Sequence, residues 1–192
     1  MKITGQSYKN FWSLNTDEVV VTGLLRSYFK KRAEVFMPLN AQLKDVDLII
    51  GNFNNKKLIT LQVKGSKAYE PKISEKRKFG DGSTGWFFIK EETIRDCTAD
   101  YFVFLVNVLS EDKSSGRRYI EPHTVVISPN ELYKVCKEKK ILHTNYSFYI
   151  WINPKEKKAF DYRDSKQKGF IDLNDNLDEK VFQVLKEALQ IS

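Results

Sequence analysis

Apolar residues recur with helical period at Val20, Val21, Leu24, Leu25, Tyr28 and Phe29, behind Asn15 and Glu18 at capping-box spacing. The pattern predicts a helix over residues 15–31. Two short apolar runs follow, Ala33–Met37 closed by Pro38 and Val46–Ile50 ended by Gly51-Asn52, and both read as strands. Residues 52–55 then turn the chain. From Lys57 to Lys64 the pattern alternates, with Ile59, Leu61 and Val63 on one face and Leu58, Thr60, Gln62 and Lys64 on the other, as a third strand requires. Tyr101–Leu109 is apolar on both faces, which predicts a strand at the centre of a sheet covered on both sides. Thr124–Ile127 and Ser147–Ile152 give two more strands, and Ser128 with Pro129 caps a helix reaching about Lys139. Asp178–Leu189 is a closing amphipathic helix. The polar, basic, glycine-containing stretch Gly65–Gly85 reads as a mobile loop or a short helix ahead of the apolar run Trp86–Ile89.

Helices and strands mixed along 192 residues, with no repeat and no Pro-, Gly- or Ser-rich linker, predict a single α/β domain over 1–192. An apolar fraction of 41% is that of a folded protein. No segment approaches the roughly 18 apolar residues of a membrane span, and the two cysteines, Cys97 and Cys136, have neither disulfide-framework nor metal spacing. The expectation is a cytoplasmic protein with no membrane partner. A formal charge of +7 makes nucleic acid a physically sensible partner, and is equally compatible with a merely soluble basic surface.

One constellation stands out. Asp47 interrupts an apolar strand, where an ionised carboxylate is costly unless it is paired or binds a cation. A short hairpin would set it beside Gln62 and Lys64, which share a face of the next strand. A hard divalent cation such as Mg²⁺ takes oxygen ligands and lowers the pKa of bound water, while a lysine stabilises charge on a phosphate, so the trio suits phosphodiester hydrolysis. The plainer reading is a strand-end aspartate satisfied by backbone amides beside a solvated strand face. Lys67, Lys72, Lys76, Arg77 and Lys78, interleaved with Tyr69 and Phe79, could follow a phosphate backbone or form a solvated loop. His123 and His143 have no metal-ligand spacing and read as ordinary residues.

With Glu18 in the first helix, Asp47 in the second strand and Gln62-Val63-Lys64-Gly65-Ser66 ending the third, the chain resembles the PD-(D/E)xK nuclease superfamily. The likeness lies nearest to QxK members among Holliday-junction resolvase-like, homing and restriction endonucleases. It implies an α/β, restriction-endonuclease-like three-layer core, a mixed central β-sheet flanked by helices, over about residues 12–109, with C-terminal strands and helices over 120–192. It further implies a DNA endonuclease using Mg²⁺ or Mn²⁺, acting on duplex or branched DNA, with room for a homodimer. By the same resemblance Asp47, the Gln62 side-chain carbonyl, the Val63 backbone carbonyl and Glu18 would hold the metal, and Lys64 would be catalytic. Glu18 also fits a purely capping role, and Asp17 is the substitute acid. Gln62 stands where the family usually has a carboxylate, so the site carries one negative charge fewer. A nuclease-like domain that binds nucleic acid or a protein without cleaving is the alternative.

Overall fold

A computed structural model of the chain describes residues 16–38, 45–112, 114–139, 144–163 and 169–191. The first helix, α1 (Thr16–Phe29), buries Val21, Leu25 and Phe29, a stripe at four-residue intervals. Strands β1 (Glu34–Phe36), β2 (Leu48–Asn52) and β3 (Lys57–Gly65) then form an antiparallel meander in which Leu48 sits opposite Leu61. The long strand β5 (Tyr101–Asp112) lies parallel to β3, and β6 (Arg117–Ile127) pairs antiparallel with β5. The result is a mixed five-stranded sheet of order β1-β2-β3-β5-β6.

Between β3 and β5 the chain makes α2 (Ile73–Phe79), β4 (Ser83–Lys90) and the one-turn α3 (Glu91–Arg95). A crossover of this length is what two parallel neighbours need. After β6 come α4 (Pro129–Lys137), β7 (Asn145–Asn153), β8 (Lys158–Asp161), β9 (Ile171–Asp172), a 3-10 turn at Asn174–Asn176 and α5 (Asp178–Ala188). Strands β4, β7, β8 and β9 form a second, antiparallel sheet. Helix α4 starts at the expected Ser128 cap, which the structure extends to a capping box: Glu131 N–H donates to Ser128 Oγ and Ser128 N–H to the Glu131 carboxylate.

The two faces of β5 explain the layering. Val103 and Leu105 pack with Leu61, Val63, α1 and the α5 residues Val181, Phe182 and Leu185. Phe102, Phe104 and Val106 pack with Phe87, Phe148 and Ile150 of the second sheet and with Ile94 and Leu132 of α3 and α4. The expected α/β class and the doubly covered central strand are therefore present. Helices cover one face of the central sheet. The second sheet takes most of the other, where the sequence suggested helices. Its last strands have four and two residues, too short to leave a period. Among the described residues no helix is long and apolar enough to cross a membrane.

The polar stretch after β3 is a strap across the outer face of the second sheet. Tyr69 stacks on Trp86 with ring centroids 4.3 Å apart, and Phe79 packs on Trp151 at 5.2 Å and Tyr162 at 5.0 Å. Helix α2, which buries no residue, is held by these flanking rings and by the hydrogen bond from the Tyr162 hydroxyl to Glu75.

Candidate functional site

β3 outruns its neighbour. β2 begins at Leu48, opposite Leu61, so the last residues of β3 are paired only with β5. Asp47 stands just ahead of β2 rather than inside it. Its N–H donates to the Leu61 carbonyl at 2.8 Å, and its Oδ2 accepts the Val63 N–H at 2.7 Å, in the place where a further β2 residue would have continued the ladder. The N–H and C=O of one strand residue point to the same side. The Val63 carbonyl therefore faces past the end of β2, toward the side from which Asp47 approaches.

Gln62 and Lys64 pair in register with Phe102 and Phe104 and so share the face of the sheet that looks toward the second sheet. Gln62 is buried and Lys64 half-buried. Gln62 Nε2 donates to Asp45 Oδ1 at 3.4 Å, and Cys97 Sγ, 3.8 Å from Gln62 Oε1, is close enough to donate a weak hydrogen bond. Burial pushes the Asp47 carboxyl above the usual range, against the pull of the Val63 N–H and the Lys64 ammonium, and Asp45 raises it further. Cys97 is likewise raised, chiefly by burial, and feels the charges of Asp45, Lys64 and Asp47. Gln62 thus touches both Asp45 and Cys97 at the open end of β3, and Asp47 and Lys64 are near enough to feel each other's charge. Asp45 and Cys97 were not singled out in the sequence. Asp45 lies in the turn before Asp47 with φ 63°, a conformation aspartate tolerates better than most residues, and this leaves no periodic signal.

On the opposite face of the same strand end, α1 contributes an acid. A Cβ built on Gly65 would lie 1.8 Å from Asp17 Oδ2, so the carboxylate rests directly on the glycine. This gives the glycine of the Gln62–Ser66 segment a physical reason: any side chain there would expel Asp17. Asp17 continues the Val21, Leu25, Phe29 stripe one turn toward the N-terminus, whereas Glu18, half-buried, is one position off it. The capping partner proposed for Glu18, Asn15, lies outside the described residues. Ser66 ties the strand end to its surroundings: its N–H donates to Leu105, its carbonyl accepts from Asn107 Nδ2, and its Oγ accepts the Trp86 N–H at 2.9 Å.

A divalent cation would meet oxygen donors here. Asp47 keeps one carboxylate oxygen beyond the one bound to Val63, the Val63 carbonyl faces the same side, and among the described residues Gln62 Oε1 meets a weak thiol donor alone. The raised Asp47 carboxyl, with Asp45 adding repulsion, is the electrostatic state that a cation relieves. Among the described residues no three His, Cys, Asp or Glu side chains form a metal-holding group, so the donor set relies on amide and backbone oxygens.

Lys67, Lys72, Lys76, Arg77 and Lys78 are all exposed on the strap that begins two residues past Lys64. Lys78 Nζ lies 5.1 Å and 5.3 Å from the Phe79 and Phe170 ring centroids, and Lys72 donates its N–H to Glu75. His123, read from sequence as ordinary, has a partner 55 residues away: its Nδ1 lies 2.7 Å from Asp178 Oδ2, while Asp178 Oδ1 accepts the Thr124 N–H at 2.7 Å. Sequence spacing could not reveal that pair. His143 lies outside the described residues. No protein-family model matches the chain, and neither a curated protein nor a solved structure is significantly similar to it.

Proposed function

We propose that this protein is a Mg²⁺- or Mn²⁺-dependent endonuclease of the PD-(D/E)xK type that hydrolyses phosphodiester bonds in DNA at the open end of β3. The observation that carries the reading is the docking of the Asp47 carboxylate onto the Val63 N–H, beside Lys64 and Gln62. A carboxylate held by burial and repulsion above its ordinary pKa costs stability, and functional sites are where such costs are found. The order α1, β1-β2-β3 meander, then a strand parallel to β3 reached by a crossover of α2, β4 and α3, supports the same resemblance in its first half.

In this reading Asp47, the Val63 carbonyl and Gln62 Oε1 hold the cation, with Asp45, which already touches the Gln62 amide, supplying the charge that Gln62 lacks. The bound metal supplies an acidified water and a Lewis acid for the phosphate. Lys64, on the same face as Gln62, places its ammonium against the phosphate oxygens. The exposed cations of the strap carry the DNA backbone toward that point. A homodimer would present two such sites to the two strands of a duplex.

A second reading is favoured by Gln62 itself: its neutral amide already reaches Asp45, and such a site could bind nucleic acid without cleaving it. Calorimetric titration with Mn²⁺ separates the two. Wild-type protein and Gln62→Glu should both bind, the variant more tightly because it adds a charge, and Asp47→Ala should not bind. Lys64→Ala should bind like wild type. No binding by either wild type or Gln62→Glu would support the non-cleaving reading.

A further inference from the structure

The outer face of the second sheet carries an aromatic column that ends beside the proposed site. Trp86 on β4 and Tyr149 on β7 are register partners, and their rings stack with centroids 5.1 Å apart at 11°. Tyr69 stacks on Trp86 at 4.3 Å and 21°. β4 is the edge strand of its sheet, so Tyr69, arriving on the strap, extends the column beyond that edge. At the inner end the column is closed: the Arg163 guanidinium lies 4.8 Å from the Tyr149 ring centroid, and Tyr162 meets Tyr149 nearly perpendicular at 5.8 Å. At the outer end, among the described residues, Trp86 is the one ring in contact with Tyr69, which is half-buried.

The outer end is also where the backbone returns to the site. Trp86 donates its N–H to Ser66 Oγ, and Ser66 follows Lys64 by two residues. Lys67 and Lys72, both exposed, bracket Tyr69 along the strap, with Glu70 as the intervening acid and Glu75 turned toward Tyr162. A half-exposed, pre-stacked ring whose one aromatic contact among the described residues is Trp86, flanked by cations that match phosphates, is the composition of a single-strand base platform.

We infer that Tyr69 stacks an unpaired base of a DNA strand whose phosphates run past Lys67 and Lys72, presenting the adjoining phosphodiester to Lys64. The inference rests on the nuclease reading for its last step alone. Because Trp86 and Tyr149 already fix the plane of Tyr69, little freedom is lost when a base joins the column. The platform directs the protein toward unpaired or flipped bases, such as branch points, over continuous duplex.

The test is fluorescence-anisotropy binding of labelled 12-nucleotide thymine DNA, without divalent cation, to wild type, Tyr69→Phe, Tyr69→Leu and Tyr69→Ala. Tyr69→Phe should bind like wild type. The leucine and alanine variants should bind about tenfold more weakly at constant salt slope, since a ring and no charge is lost. Tyr69→Leu retains apolar cover over Trp86, so a loss it shares with alanine is not a folding effect. Equal binding by all four proteins, or no binding by wild type, would overturn the inference. Wild type that binds in this way and never cleaves leaves the platform standing and removes the nuclease reading; cleavage with a Tyr69→Leu protein of unchanged affinity does the reverse.

Discussion

Replacing Asp47 in two ways separates its backbone role from its charge. Its Oδ2 accepts the Val63 N–H at 2.7 Å, at a point where β2 has no residue to do so. Asp47→Ala removes the acceptor and leaves that N–H unpaired, a cost of about 1–3 kcal/mol, partly offset by loss of the buried charge. Asp47→Asn keeps an acceptor oxygen and deletes the charge, so without divalent cation it should be at least as stable as wild type at pH 7. In a chain of this size each kcal/mol moves the midpoint by about 2–4 °C, well within reach of thermal scans. The pH dependence has a definite sign. The folded-state pKa of Asp47 is raised, so the folded protein binds the proton more tightly than the unfolded chain. Wild type should therefore be most stable relative to Asp47→Asn below the unfolded value of about 3.9, and lose ground as pH rises through the raised folded value. Urea titrations from pH 3.5 to 8 measure the difference. A gap independent of pH, or asparagine as damaging as alanine, would refute the reasoning.

Gly65→Ala should displace the Asp17 carboxylate, whose Oδ2 lies 1.8 Å from the new Cβ, and Asp17→Ala in the same chain should remove the resulting change in stability in a double-mutant cycle. Lys139 and Asp161 are fully buried with Nζ 2.5 Å from Oδ2, so Lys139→Met, which strands the carboxylate, should lower stability by about 3–5 kcal/mol in urea unfolding. Burial lowers the His123 pKa, but the hydrogen bond and charge of Asp178, with Glu121, outweigh it and raise it overall. Its stabilisation should be complete below about pH 6.5 and fade as pH rises through the folded value; His123→Gln should remove that slope, and persistence of the slope would assign it elsewhere.

Much of the fold was legible because the alternation from Lys57 to Lys64 and the two-sided apolar run at Tyr101 respond to burial in ways that local sequence records. The second sheet was not legible as a layer. Its strands β8 and β9 are short, and the outer face of β7 carries Tyr149, stacked on Trp86 of β4, and Trp151, covered by Phe79 of the strap, both partners far away in sequence. The strap itself reads as polar because its two anchors, Tyr69 and Phe79, are isolated rings with no period. At the site, Asp47, Gln62 and Lys64 stand out as polar residues in apolar strands. Asp45 and Cys97 lie in turn or loop positions, where polar and small residues are expected, and three-dimensional proximity alone brings them in. Asp17 is distinguished from Glu18 by the four-residue stripe it continues from Val21, Leu25 and Phe29, and by the contact with Gly65 that only the fold reveals.

Nicking of supercoiled plasmid DNA by wild type, Asp47→Asn and Lys64→Ala tests the central claim most directly, because the asparagine variant should fold at least as well as wild type. Wild type should convert supercoiled to open-circular and linear DNA with Mg²⁺ or Mn²⁺ and stop on chelation, while both variants stay inactive. Wild type that leaves the plasmid intact with either cation, or Asp47→Asn that nicks at the wild-type rate, would contradict it.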